Sequence, residues 1–259
     1  VFRALEFGAL DFVAKPTRGA GDLSSIRQEL LSKLMLVQRL QLAALAERRR
    51  IVAESPEEEE EPKPRRSEIA GMAGLVVIGA STGGPTAIQT LLERLPVGLP
   101  LGFCIAQHMP EQFTATFAER LNGQSAHRVV EAQAGMVLQA GQVVVAKGGH
   151  HLRLHRGRNG IELELERVEG QAMHVPSIDE LFTSAAKAMG PAVLAVVLTG
   201  MGDDGACGVK EVASAGGRCL AESKETAVIY GMPQEAEATG VLEKTCRLAD
   251  HFGRTPRML

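Results

Sequence analysis

LVVIGASTGGPTAI, running from Leu75 to Ile88, is the stretch that decides the fold of this chain. Leu75, Val76, Val77 and Ile78 form a short, wholly apolar and mostly β-branched run, the pattern of a strand buried on both faces of a parallel sheet. Gly79, Gly83 and Gly84 then allow a tight turn, and Pro85 to Leu95 carries apolar residues at helical spacing. A strand, a turn and a helix in that order lift the Ser81 hydroxyl to the C-terminal edge of a sheet. The N–H groups that open the helix point at the same place. Such a corner suits a nucleophile with an oxyanion site, and it suits a phosphate cradle equally well. It is neither a dinucleotide-binding glycine fingerprint nor a P-loop with its lysine.

Two further loops narrow the choice. Leu101 to Gln107 (LGFCIAQ) is a second apolar run and ends in His108-Met109-Pro110. Val193 to Thr199 (VLAVVLT) is a third and ends in Gly200-Met201-Gly202-Asp203-Asp204-Gly205. A serine, a histidine and an aspartate therefore each follow the C-terminal end of an expected parallel strand, the edge where open α/β sheets assemble their sites. A serine nucleophile needs a base for its proton, and the base needs a carboxylate to fix its tautomer. The chain order Ser, His, Asp differs from that of several unrelated hydrolases, but triads are defined by geometry and not by order.

At these residues the sequence resembles the chemotaxis protein-glutamate methylesterases of the CheB family. GASTGGP (79–85), QHMPEQFTATFAERL (107–121), HVPSIDELF (174–182), LTGMGDDG (198–205) and YGMP (230–233) match that family's signatures in its order. The resemblance covers Leu75 to the C-terminus. It implies Ser81 as nucleophile, His108 as general base and Asp204 as the orienting acid, with Asp203 at a variable position. It further implies oxyanion support from the backbone at Thr82 and Met201. The fold it implies is α/β: a doubly wound, mainly parallel sheet with helices on both faces.

Composition agrees with a globular enzyme and excludes other classes. The chain has 259 residues, 45% of them hydrophobic, with no apolar run of transmembrane length. A net charge of −3 indicates neither a nucleic-acid footprint nor a polybasic membrane patch. Cys104, Cys207, Cys219 and Cys246 are scattered without a Cys-x-x-Cys pair, as expected of free thiols in the cytoplasm.

Phe7 to Pro16, FGALDFVAKP, resembles the last strand of a response-regulator receiver domain. That resemblance implies that Lys15 is a phosphate-contact residue and that the bond to Pro16 is cis. The phosphoacceptor aspartate and the Mg²⁺-binding acidic pair lie far upstream in such domains, so about 100 further residues before Val1 are expected. Residues 1–50 read as the C-terminal remnant of a receiver plus a connector helix. Apolar residues from Ile26 to Leu45 give the connector its helical spacing, and a remnant of this size is too small to bury a core or cover a cleft. Residues 51–70, with SPEEEEEPKPRRS, read as a charged Pro/Glu-rich linker. Residues 71–259 read as the catalytic domain, so a chain trimmed after Ser67 is expected to keep the esterase.

Within that domain, Glu111 to Leu121 is an expected helix, and Val143 to Ala146 and His151 to His155 alternate as strands. Asn159-Gly160 marks a hairpin turn followed by Ile161, Leu163 and Leu165, giving an antiparallel hairpin beside the main sheet. Ser177 with Glu180 is a helix N-cap signal. Glu211 to Gly217 and Met232 to Thr239 are expected helices, and Arg218 to Ala221 a strand. His150, His151 and His155 do not make a metal site, because neighbouring strand residues face opposite ways and the ligand set is incomplete. His174 and Asp179 fall at positions of the resemblance and are assigned a structural role near the cleft; Tyr230 to Pro233 border the site.

The resemblance thus implies hydrolysis of glutamate methyl esters on the cytoplasmic domains of chemoreceptors, together with deamidation of receptor glutamines, with no metal and no organic cofactor. The implied partners are the methylated receptor and, through the upstream receiver, a histidine kinase; no nucleic acid and no membrane insertion are expected. Two alternatives stand beside it. One is a serine esterase on another substrate; the other is a non-catalytic, phosphorylation-controlled docking module.

Overall fold

The computed structural model describes residues 1–6, 9–14, 23–53, 71–169 and 174–250. Three helices come first: α1 (Phe2–Glu6), α2 (Leu23–Met35) and α3 (Leu42–Ala53). The central unit continues with β1 (Gly74–Ala80), α4 (Gly84–Arg94), β2 (Leu101–Gln107), α5 (Glu111–Gln124), β3 (Arg128–Glu131) and β4 (Gln142–Val145). It is completed by β5 (His150–Gly157), β6 (Gly160–Arg167), α6 (Ile178–Met189), β7 (Val193–Val197), α7 (Ala206–Ser214), β8 (Arg218–Glu222), α8 (Met232–Ala238) and β9 (Lys244–Cys246).

Seven strands form one sheet in the order β3-β4-β2-β1-β7-β8-β9, with every pairing parallel. From β1 the chain builds outward on one side and returns on the other, so the strand order reverses next to β1. A crevice opens there at the C-terminal edge. All residues of β1 and β2 are buried. Because successive side chains alternate faces, Val76, Ile78, Phe103 and Ile105 pack with α4 and α5, whereas Leu75, Val77, Cys104 and Ala106 pack with α6 and α7. Each such buried Val, Leu, Ile or Phe side chain contributes about 1.5–3 kcal/mol relative to exposure. The sheet therefore holds its C-terminal loops on a rigid base.

The antiparallel hairpin β5–β6 forms a separate two-stranded sheet whose Leu152, Leu154, Ile161 and Leu163 join the α6-side core. Its register pairs Gly157 with Gly160, so Arg158 and Asn159 make the turn, one position before the expected Asn159-Gly160. β4 is buried at every position and is a sheet strand, not an alternating one. The helix expected from Glu211 starts instead at Ala206. Gly205 at φ 104° turns the chain directly from the Asp204 loop into α7, a conformation that only glycine adopts freely.

The expected connector helix is divided. A 3₁₀ turn at Leu36–Arg39 ends α2, and Leu40 is extended and bridges antiparallel to Ile229. Leu30, Leu31, Leu34 and Met35 of α2 stay exposed, as an apolar stripe without its core would. Ala44, Arg48 and Ile51 of α3 are buried, contrary to that expectation, because α3 lies against the parallel-sheet unit. Of the expected receiver strand, residues 9–14 are described and form no strand. Lys15, Pro16 and linker residues 54–70 lie outside the described residues.

His127, just before β3, is buried, and its Nε2 lies 3.0 Å from the Leu95 carbonyl. Burial pushes its pKa below the ordinary 6.5, and the bond to Leu95 offsets this only in part. The unfolded chain then binds the extra proton first. Stability linked to His127 is fully present above 6.5 and lost as pH falls toward the lowered folded value. Urea unfolding at about pH 7.5 and about pH 5.5 should show a smaller stability difference in His127→Gln than in the parent. An unchanged difference would contradict this assignment.

Candidate active site

Backbone hydrogen bonds tie the three strand ends together. Ser81 N–H donates to the Thr199 carbonyl at 3.0 Å, and His108 N–H donates to the Ala80 carbonyl at 3.0 Å. Ser81 thus stands between the His108 loop and the Gly200 loop. Its turn needs Gly83 at φ 77°, a left-handed conformation that strains other residues. Gly84 N–H donates back to the Ser81 carbonyl at 2.8 Å. Gln107 Nε2 donates to the carbonyls of Ser81 and His108 at 3.0 and 3.1 Å, so one buried amide fixes both loops.

His108 Nε2 lies 2.7 Å from Asp204 Oδ2. A carboxylate only accepts, so Nε2 carries a proton; in the neutral imidazole the lone pair then lies on Nδ1. Three more donors reach the same carboxylate: Ile178 N–H at 2.8 Å, Asp179 N–H at 2.9 Å and Ser177 Oγ at 3.1 Å. Ile178 and Asp179 open α6, whose dipole favours an anion at that end. Burial alone would raise the Asp204 carboxyl. The bond and charge of His108, with the N–H groups of Ile178 and Asp179, outweigh it and hold the group below the usual carboxylate range. Asp203 is exposed, whereas Asp204 is buried.

Asp179 returns the arrangement. Its Oδ1 accepts from Gly205 N–H at 2.9 Å and Gly208 N–H at 2.6 Å, at the start of α7. Each of the two helices thus receives a carboxylate from the other's segment, which locks the Asp204 loop to α6. The His174 ring stacks on His108, centroids 4.8 Å apart and planes 17° apart. Burial, followed by repulsion from His108, pushes the pKa of His174 below its ordinary value. Donor atoms of His108, His174 and Asp204 lie within 4.8 Å of one another. A shared ion would have to lie in the plane of both rings, which a near-parallel stack does not permit.

The N–H groups of Thr82 and Met201 have no hydrogen-bond acceptor among the described residues, as free oxyanion donors would. Ser81 Oγ makes no hydrogen bond to the imidazole among these residues. Residues 10–12 lie beside the Ser81 turn. Thr82 Oγ1 donates to Asp11 Oδ2 at 2.6 Å, Gly83 N–H to the Leu10 carbonyl at 3.3 Å, and Phe12 meets Phe113 edge-on at 4.7 Å. A short segment needs no core of its own when the Ser81 turn and Phe113 supply partners for it.

Tyr230 bridges to Gly200 and so borders the site; its hydroxyl donates to Glu237 at 2.7 Å. His151 Nδ1 accepts from Ser177 N–H at 3.0 Å, and His155 lies 3.4 Å from Glu162, so both have structural partners. Sequence reasoning missed Gln107, Thr199, Glu222 and Arg48 as residues around the site. For Glu222 a signal existed: a carboxylate ending an apolar strand on the same sheet edge as His108 and Asp204.

A doubly wound parallel sheet with a serine on the turn after its central strand, and a carboxylate-held histidine on the next loop, defines an α/β serine hydrolase. The model of the CheB methylesterase family matches residues 76–252. The chain belongs to that family. A protein-glutamate methylesterase/protein-glutamine glutaminase of Anaeromyxobacter dehalogenans is 48% identical over 94% of this chain and 66% of its own length. One of Geobacter sulfurreducens is 42% identical over 96% of this chain and 71% of its own. This chain therefore spans about two thirds of the length of these curated relatives. The crystal structure of the Thermotoga maritima CheB methylesterase catalytic domain superposes with a TM-score of 0.66 at 34% identity, covering 70% of this chain and 95% of that one.

Proposed function

We propose that Ser81, His108 and Asp204 carry the methylesterase chemistry of the family on this chain, hydrolysing glutamate γ-methyl esters of chemoreceptors and deamidating receptor glutamines. The observation that carries the reading is the 2.7 Å bond between His108 and Asp204, with Asp204 seated on the start of α6. Fixed in this way, the imidazole presents Nδ1 as the base. It takes the Ser81 proton as Oγ attacks the ester carbonyl carbon, and the oxyanion is met by the N–H groups of Thr82 and Met201. The bond between the acyl carbon and the methoxy oxygen breaks, and the leaving group takes the proton from His108 and departs as methanol. Water then repeats the cycle on the acyl-enzyme and frees the glutamate. From glutamine, ammonia leaves instead. Every step uses groups of the protein and water.

The catalytic unit of this reading is residues 71–259, with 1–50 as receiver remnant and connector and 51–70 as linker, although α3 carries the connector on to Ala53. No helix among the described residues is long and apolar enough to cross a membrane. The proposed place of action is the cytoplasm, at the receptor's signalling helices, with a histidine kinase acting through a receiver that includes Lys15. Methanol release from methylated receptor membranes tests the reading against hydrolysis of a simple ester such as p-nitrophenyl acetate. Turnover should be far higher on receptor. Comparable or greater activity on the simple ester alone would make the chain an esterase of other substrates.

A further inference from the structure

Arg48 belongs to the connector, on α3, yet only 3% of it is exposed. Its guanidinium reaches two loops of the site. Nη1 donates to the Gly83 carbonyl at 2.9 Å; Nη2 donates to Glu222 Oε1 at 2.6 Å and to the Thr226 carbonyl at 3.1 Å. Glu222 is fully buried at the end of β8, and its second oxygen accepts from Thr199 N–H at 2.9 Å. Thr199 in turn holds Ser81 N–H through its carbonyl, and its hydroxyl donates to the Thr82 carbonyl at 3.0 Å.

We infer that Arg48 is a positioning residue for the esterase: from the connector it clamps the nucleophile turn and the loop leading to Met201 in one geometry. The inference rests on the reading of Ser81 as nucleophile. The carbonyl that Arg48 holds belongs to the peptide between Gly83 and Gly84, whose N–H bonds the Ser81 carbonyl. One peptide plane therefore separates the guanidinium from the nucleophile. On the other arm, Glu222 and Thr199 carry the same restraint to the Ser81 N–H. A planar fork can engage a carbonyl and a carboxylate at once, whereas a lysine ammonium is a point charge without that fixed spread. A buried ion pair is in itself a weak device for stability. Its placement between two loops that must stay in register for the attack gives it a reason.

The test uses the full chain and methanol release from methylated receptor membranes, with thermal unfolding followed in parallel. Arg48→Lys keeps a cation beside Glu222, and Arg48→Met combined with Glu222→Gln removes both charges together. Each should remain folded at the assay temperature, with kcat lower by about one to two orders of magnitude and KM changed by less than about twofold. Parent-like kcat in either folded variant would overturn the inference, as would a change confined to KM. Loss of the fold in both variants would overturn it in favour of a purely structural role. Ser81→Ala separates the two levels. If it still releases methanol, the hydrolase reading itself fails; if it is inactive while the Arg48 variants match the parent, only the clamp fails.

Discussion

Replacing Ser81 or His108 by alanine should each lower methanol release from methylated receptors by about 10⁶, the loss seen when the serine or the histidine of a serine hydrolase triad is removed. The two losses should not multiply in the double variant, because nucleophile and base act as one unit. Neither change should unfold the protein. Ser81 is only half-buried, and its N–H and carbonyl, not its hydroxyl, tie the strand ends together. Circular dichroism and the melting temperature of Ser81→Ala should therefore match those of the parent. Residual turnover within about tenfold of the parent in Ser81→Ala would remove serine from the mechanism.

Asp204→Asn should damage both rate and stability, for reasons visible in its hydrogen bonds. Both oxygens accept from backbone N–H groups, Oδ2 from Ile178 and Oδ1 from Asp179. An asparagine must turn its NH₂ toward one of them, so two donors face each other whichever way the amide lies. The cost of such an unsatisfied buried group is about 1–3 kcal/mol. Turnover should fall by about 10⁴, because the imidazole loses the partner that fixes its tautomer. The carboxylate's contribution to stability is present above the ordinary value of 3.8 and lost as pH falls through its lower folded value. The variant should consequently show a flatter acid limb in the stability–pH curve. Asp203→Asn, an exposed change, should alter stability by less than about 0.5 kcal/mol and leave most of the activity. Equal damage at the two positions would sink the assignment of the orienting acid.

Much of this architecture was legible in the chain. The apolar runs at Leu75, Leu101 and Val193 announce strands because a fully buried parallel strand tolerates few other residues. Each is followed by a loop on one sheet edge, which brings Ser81, His108 and the aspartate pair to a single crevice. The capping signal at Ser177 is realised as its side chain accepts from Glu180 N–H. Local devices such as caps and strand periodicity depend on near neighbours, so a sequence displays them. Less regular ends were harder. The start of α7 and the hairpin turn shifted because a left-handed glycine leads directly into one and strand register sets the other.

By itself, the sequence determined the parallel sheet, the edge that carries the chemistry and the residues offered there, since hydrophobic pattern and glycine placement leave little freedom in those features. Only the tertiary structure decided that Asp204 rests on α6 while Asp179 rests on α7, that His174 stacks on His108, and that Arg48 joins Glu222 across 174 positions. Such contacts link distant segments through single polar atoms. A lone arginine in a helix or a lone glutamate after a strand carries no periodicity that names its partner. Its partner is settled when packing excludes water and leaves the buried charge a particular place to go.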